Sequence, residues 1–258
     1  MTFPKLALVT GASSGLGQAL ACSLAQKGVS LILTGRNEER LRALAQTLAV
    51  PVQCIPLDLS LEADRKKLIQ EMEKASPDLV INNAGFGLYG NALNHPLAEQ
   101  MNMIDVNITA VAEMTLAAAQ HWKTGKKKGI ILNVSSAAAF FTYPSFAIYA
   151  ASKSFVLNFS NALDLELSEH GIRVLTVCPG QIDTDFRNRA SKYFPQKKDL
   201  WTMSVDKCAE LIVAQIAKGQ RSLIIDWRYR WLVALSRLVP KKILSNLLAR
   251  RISERIRH

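Results

Sequence analysis

The chain has 258 residues, about half of them apolar, and a formal net charge of +11. That size suits one large α/β domain with an extensive core, and no Pro/Gly/Ser-rich linker divides it. Cys22, Cys54, Cys178 and Cys208 lie far apart without metal-ligand spacing, so no metal site is expected, and reduced, mostly buried thiols fit a cytoplasmic protein.

Met1-Thr2-Phe3-Pro4-Lys5 runs directly into Leu6-Ala7-Leu8-Val9 with no h-region or small-residue cleavage site, so no signal peptide is expected. Short apolar runs predict strands at Lys5–Thr10, Ser30–Thr34, Val52–Leu57, Leu79–Asn82, Ile130–Ser135, Ile172–Cys178 and Ser222–Ile225. Helical periodicity occupies Gly15–Lys27, Asn37–Leu48, Leu61–Lys74, Leu97–Trp122 and Ala147–Glu169. The strand runs are continuous in Val, Ile and Leu rather than alternating, which marks a parallel sheet buried on both faces. Repeated strand–helix alternation predicts a single doubly wound Rossmann-type α/β domain with a seven-stranded parallel sheet. Its ligand crevice is expected at the carboxyl ends of the strands.

The first strand runs into Thr10-Gly11-Ala12-Ser13-Ser14-Gly15-Leu16-Gly17 before a helix begins. Glycines there permit positive φ and a close approach of the backbone to a pyrophosphate, and the helix start offers free N–H groups to it. The second strand ends in Gly35-Arg36, where an acid would bond the ribose hydroxyls of a non-phosphorylated dinucleotide. Glycine in place of that acid, followed by a guanidinium, favours NADP(H), although Arg36 at a strand end can also be a solvated residue. Asp58, in Leu57-Asp58-Leu59-Ser60, suits either an adenine amino group or the N-cap of the next helix. Asn82-Asn83-Ala84-Gly85 can tie neighbouring strand ends together while the glycine leaves room for a ribose; an ordinary turn is the plainer reading.

Tyr149 and Lys153 lie four apart on a predicted helix and project from one face. An ammonium beside a phenol favours phenolate, so the pair can move a proton to or from a carbonyl oxygen. Ser136, thirteen residues before Tyr149, can hydrogen-bond the reacting oxygen, with Ser135 a rival on physical grounds alone. Asn107 interrupts a helical stretch with a mediocre helix former, and its amide could hold a water in a proton relay to the lysine.

T-G-x-x-x-G-x-G at Thr10–Gly17, N-N-A-G at Asn82–Gly85, N-V-S-S at Asn133–Ser136, Y-x-x-x-K at Tyr149–Lys153 and P-G at Pro179-Gly180 occur together and in this order. Over roughly residues 5–225 the sequence resembles the short-chain dehydrogenase/reductase family. The resemblance implies a catalytic tetrad of Asn107, Ser136, Tyr149 and Lys153, and its serine-to-tyrosine spacing favours Ser136 over Ser135. It implies substrate contacts from Ser136 and Tyr149, and a bond from Lys153 to the nicotinamide ribose. Dinucleotide contacts fall on Gly11, Ser13, Ser14, Gly15, Leu16, Gly17, Arg36, Asp58, Leu59, Asn83, Ala84 and Gly85. Pro179, Gly180, Ile182 and Thr184 belong to a P-G-x-x-x-T segment that faces the nicotinamide.

By the same resemblance a substrate loop spans about 185–204, and Phe86–Tyr89 and Ala137–Phe146 supply the remaining lining. Phe86, Phe140, Phe141, Tyr143 and Phe146 make that lining aromatic, which suits an apolar ketone or aldehyde. The expected division is a reductase domain over 1–225 and a basic amphipathic extension over 226–258. From Arg221 onward ten Lys/Arg face only Asp226 and Glu254, a net +8, and the first 220 residues are nearly neutral. Ile243, Leu244, Leu247, Leu248, Ile252 and Ile256 form one stripe after Pro240, expected to pack on the body or on a second subunit of a homo-oligomer. Peripheral contact of 240–258 with an anionic membrane is the alternative. No nucleic-acid motif accompanies the charge. The whole reads as a hydride-transferring enzyme acting on a small carbonyl or alcohol, with a non-catalytic cofactor-binding scaffold as the rival.

Overall fold

A computed structural model describes residues 3–191, 201–236 and 238. Seven strands, β1 (Leu6–Thr10), β2 (Ser30–Gly35), β3 (Val52–Pro56), β4 (Leu79–Asn82), β5 (Gly129–Val134), β6 (Ile172–Cys178) and β7 (Ser222–Ile224), form one sheet. Its order is β3-β2-β1-β4-β5-β6-β7, and every neighbouring pair is parallel.

Strand periodicity divides the core. Ala7, Val9, Leu33, Ile81, Leu132 and Val177 pack on one face with α1 (Gly15–Ala25) and α8 (Val205–Lys218). Leu8, Ile32, Val80, Ile131 and Val174 pack on the other, with α3 (Glu62–Ala75), α5 (Ala110–Thr124) and α6 (Ala147–Leu167). Both faces are covered, as continuous apolar strands require. The remaining helices are α2 (Glu38–Thr47), α4 (Leu97–Ile104), α7 (Phe186–Ala190) and α9 (Trp227–Ser236). The strand order reverses between β1 and β4, so the crevice opens beyond Thr10 and Asn82, the place a doubly wound sheet offers a ligand.

Two features differ from the sequence-based expectations. The stretch expected as one helix over Leu97–Trp122 is α4 and α5 joined by a π-turn at Asp105–Thr109 that contains Asn107. Helix α8, begun by Ser204 accepting from the Lys207 N–H, was not among the expected elements. The stripe Ile243–Ile256 and positions 192–200 of the expected substrate loop lie outside the described residues.

A buried carboxylate ties three elements together. Asp164 of α6 receives Arg173 Nε and Nη2 at 2.7 and 3.1 Å, the Val174 N–H at 2.9 Å, and Arg221 Nε at 2.6 Å. Burial opposes its ionisation, but these four donors outweigh that and hold its carboxyl below the usual range.

Candidate active site

One cleft of about 1280 Å³ runs along the carboxyl edge of the sheet. Of the residues expected at the site, all but two line it. The exceptions are Gly17 and Asn107, which stand behind its wall.

At the β1 end, the turn has the backbone expected of it, with φ of +66° at Gly11 and +58° at Gly15. Gly17 has no room for a side chain, because a Cβ there would overlap the Gly11 carbonyl and the Asn83 amide. Asn83 Nδ2 donates to the Thr10 carbonyl at 2.9 Å, and Thr10 Oγ1 accepts from the N–H groups of Asn83 and Ala84. Asn82 Nδ2 donates to Asn133 Oδ1 at 2.8 Å on the next strand. The two asparagines therefore bind β4 to β1 and to β5. Ser14 is the N-cap of α1, yet its side chain makes no capping bond, and no acid occupies the first helical turn. A glycine cradle without Cβ atoms and an electropositive helix start fit a pyrophosphate.

Farther along the same wall stand Gly35, Arg36, Asn37 and Arg40. Asn37 caps α2 by accepting from the Arg40 N–H at 2.8 Å, and Arg36 and Arg40 both line the cleft. Gly35 is close-packed, since a Cβ would come within 3.1 Å of Ser13 Oγ. Asp58 does not cap α3, whose N-cap is Leu61. Its Oδ1 accepts from the N–H and hydroxyl of Ser60, and its Oδ2 lies 4.0 Å from Arg36 Nη1.

At the other end, α6 brings Tyr149 and Lys153 to the floor of the cleft, both buried. Ser135 and Ser136 part company here. The Ser135 hydroxyl turns inward to donate to the Lys153 carbonyl at 2.7 Å, whereas Ser136 lines the cleft with Tyr149, its Oγ accepting from the Ala138 N–H at 3.1 Å. Lys153 Nζ donates to the Val134 carbonyl at 2.9 Å and lies 5.8 Å from the centre of the Tyr149 ring. The expected drop in the tyrosine pKa is absent. Burial pushes the Tyr149 phenol up to about 12, against the downward pull of Ser136, and burial draws Lys153 down to about 8. Desolvation dominates both shifts because both groups are enclosed.

Asn107 is fully buried in the π-turn, next to Gly85 and Lys153. Its Oδ1 accepts from the Phe86 N–H at 3.1 Å, and its Nδ2 donates to the Phe86 carbonyl at 2.9 Å and to Ser152 Oγ at 3.2 Å. The amide thus braces the loop after β4.

Beyond Tyr149 the cleft is aromatic. Phe146 stacks on Tyr149 with centroids 4.2 Å apart, Tyr89 meets the Phe146 edge at 5.3 Å, and Phe186 of α7 lies 5.5 Å from Tyr149. Phe86, Phe141 and Tyr143 line it as expected, but Phe140 turns away to pack with Leu157 and Cys178. Three further wall residues had no clear sequence signal. Arg189 of α7 reaches Ser14 Oγ at 3.4 Å, while Tyr229 and Leu232 come from α9, inside the expected extension. The Tyr229 ring lies flush on Gly180, where a Cβ would overlap it.

A conserved-sequence profile described as short chain dehydrogenase matches residues 5–193. An uncharacterised oxidoreductase of Myxococcus xanthus is 32% identical over 244 residues, 93% of this chain and 94% of its own. A short-chain dehydrogenase from Sphingobium yanoikuyae, solved with NADPH, is 29% identical with a TM-score of 0.79, covering 90% of this chain and 93% of its own. A bulky-bulky ketone specific alcohol dehydrogenase from Comamonas testosteroni is 26% identical with a TM-score of 0.76, covering 92% and 93%. Other structures of this fold hold NADH or NAD. The chain belongs to the short-chain dehydrogenase family and is an oxidoreductase of the nicotinamide-dinucleotide class.

Proposed function

We propose that the chain is an NADP(H)-dependent carbonyl reductase for apolar ketones or aldehydes. The observation that carries this reading is the gathering of Ser136, Tyr149 and Lys153 at the point of the cleft where its dinucleotide part meets its aromatic part. The nicotinamide, when bound, supplies the hydride. Ser136 holds the reacting oxygen, and the Tyr149 phenol, un-ionised at neutral pH, donates the proton to it. Lys153, fixed by the Val134 carbonyl, supplies positive charge near that oxygen and faces the ribose side through Gly85. Phe146, Tyr89, Tyr143 and Phe186 exclude water and hold an apolar skeleton. Arg36 and Arg40, which line the same cleft, hold the adenosine 2′-phosphate.

The test is a panel of apolar ketones and aldehydes assayed with NADPH and NADH in parallel. Turnover with higher kcat/KM on NADPH is expected, and Gly35→Asp combined with Arg36→Ser should shift the preference toward NADH. Higher kcat/KM on NADH in the unaltered enzyme would remove Arg36 and Arg40 from the cofactor site. Tight dinucleotide binding without turnover on any carbonyl would favour the scaffold reading instead.

A further inference from the structure

Helix α9 has two apolar faces. On one, Val233 is buried and the Tyr229 ring covers Gly180, while Leu232 reaches the cleft wall. Its start is fixed by Asp226, which accepts from the Arg228 N–H and guanidinium, and by Arg230 donating to the Ile225 carbonyl. Among the described residues nothing comparable covers the other face. Trp227, Trp231 and Leu235 recur every four residues and so project to one side, and Leu238 follows just beyond the end of the helix. Their exposures are 64, 63, 55 and 81%. Two indoles and two leucines in a row leave an apolar strip on a surface that otherwise has no reason for one.

We propose that this face of α9 docks on an anionic lipid surface, with the helix lying in the plane of the interface. Tryptophan suits that boundary, because its ring is apolar and its N–H stays within reach of water and headgroups. The charge selects the partner. The strip belongs to the segment from Arg221 onward that carries a net +8, and the exposed Arg230 stands beside it on the helix itself. A second copy of the chain docking through the same patch would set one basic segment against its twin, whereas anionic headgroups neutralise it. The contact is peripheral, since no described helix is long and apolar enough to cross a membrane. The same helix lines the cleft, so docking would turn one wall of the aromatic pocket toward the lipid. That consequence rests on the reductase reading, whereas the docking itself does not.

Co-sedimentation with vesicles tests this without any turnover assay. The full chain should bind vesicles containing phosphatidylglycerol, bind pure phosphatidylcholine vesicles far more weakly, and release as salt is raised. The combined variant Trp227→Ser, Trp231→Ser and Leu235→Ser should bind at least ten-fold more weakly with unchanged melting and unchanged NADPH affinity. Brominated phospholipids should quench the tryptophan emission of the unaltered chain, a readout that survives if the variant folds poorly. Absent binding to phosphatidylglycerol vesicles, full binding by the triple variant, or absent quenching would each overturn the proposal. A halved mass of the triple variant in light scattering, without any change in vesicle binding, would assign the strip to a second copy instead.

Discussion

At the scale of single residues, burial keeps the Tyr149 phenol, the proposed proton donor, in the neutral form. Burial pushes Tyr149 up to about 12 and Lys153 down to about 8, so at neutral pH the phenol is protonated and the lysine charged. That pairing suits protonation of a carbonyl oxygen better than removal of a proton from an alcohol. Tyr149→Phe keeps the ring that stacks on Phe146 and removes the hydroxyl, and should lower turnover by roughly 10²–10⁴-fold with dinucleotide affinity retained. A near-normal rate in this variant would remove Tyr149 from proton transfer. The lysine sets a pH limit. Carbonyl reduction should decline as pH rises through about 8, because Lys153 loses there the charge that steadies the reacting oxygen. Lys153→Arg cannot deprotonate in that range and should lose this alkaline limb even if its rate is lower overall. An alkaline limb unchanged in Lys153→Arg would assign it to another group.

At the scale of elements, α7 joins the two halves of the cleft. Its first residue, Phe186, meets the Tyr149 ring, and three residues on Arg189 reaches Ser14 at the start of α1. A guanidinium there would share a bound pyrophosphate with the glycine turn. Losing a charge-assisted bond of about 1.5–3 kcal/mol corresponds to roughly 10–100-fold in affinity. Arg189→Gln should therefore weaken NADPH binding by at least ten-fold in a fluorescence titration without substrate; an unchanged Kd would exclude the contact. None of this coupling was legible in the sequence, because it depends on where a short helix lands rather than on any local pattern. The strands were legible almost to the residue, since burial on both faces writes continuous apolar runs such as Leu79–Asn82. So were the glycine turn and the Tyr149–Lys153 face, where chemistry dictates residue type and spacing together. The π-turn at Asn107 was legible only as a weak helix former in a helical stretch. The roles of Tyr229 and Phe140 were not legible, because an aromatic residue carries no mark of which cavity it will face.

At the scale of the whole molecule, the chemistry depends on α6, β6 and the approach to β7 keeping their places. Helix α6 carries Tyr149 and Lys153, β6 leads into Pro179-Gly180, and the chain beyond β7 delivers Tyr229 onto Gly180. Asp164 holds these three together through Arg173, the Val174 N–H and Arg221, about 16 Å along α6 from Lys153 at the helical rise. Breaking a buried ion pair from one side typically costs about 3–5 kcal/mol. Arg173 and Arg221 both keep some contact with water, which places Asp164→Asn at the lower end, about 3 kcal/mol. The pH dependence has a definite sign. The folded carboxyl lies below its ordinary value, so its stabilisation is complete above the unfolded pKa of about 4 and is lost as pH falls through the folded value. Urea melts of the two proteins should therefore differ by about 3 kcal/mol at pH 7 and converge toward acid. At 25 °C the remaining folded Asp164→Asn should still bind NADPH normally, because no donor to Asp164 lines the dinucleotide part of the cleft. A difference under about 1 kcal/mol at pH 7, the range of an exposed ion pair, would mean that packing of the three elements holds the cleft together without this carboxylate.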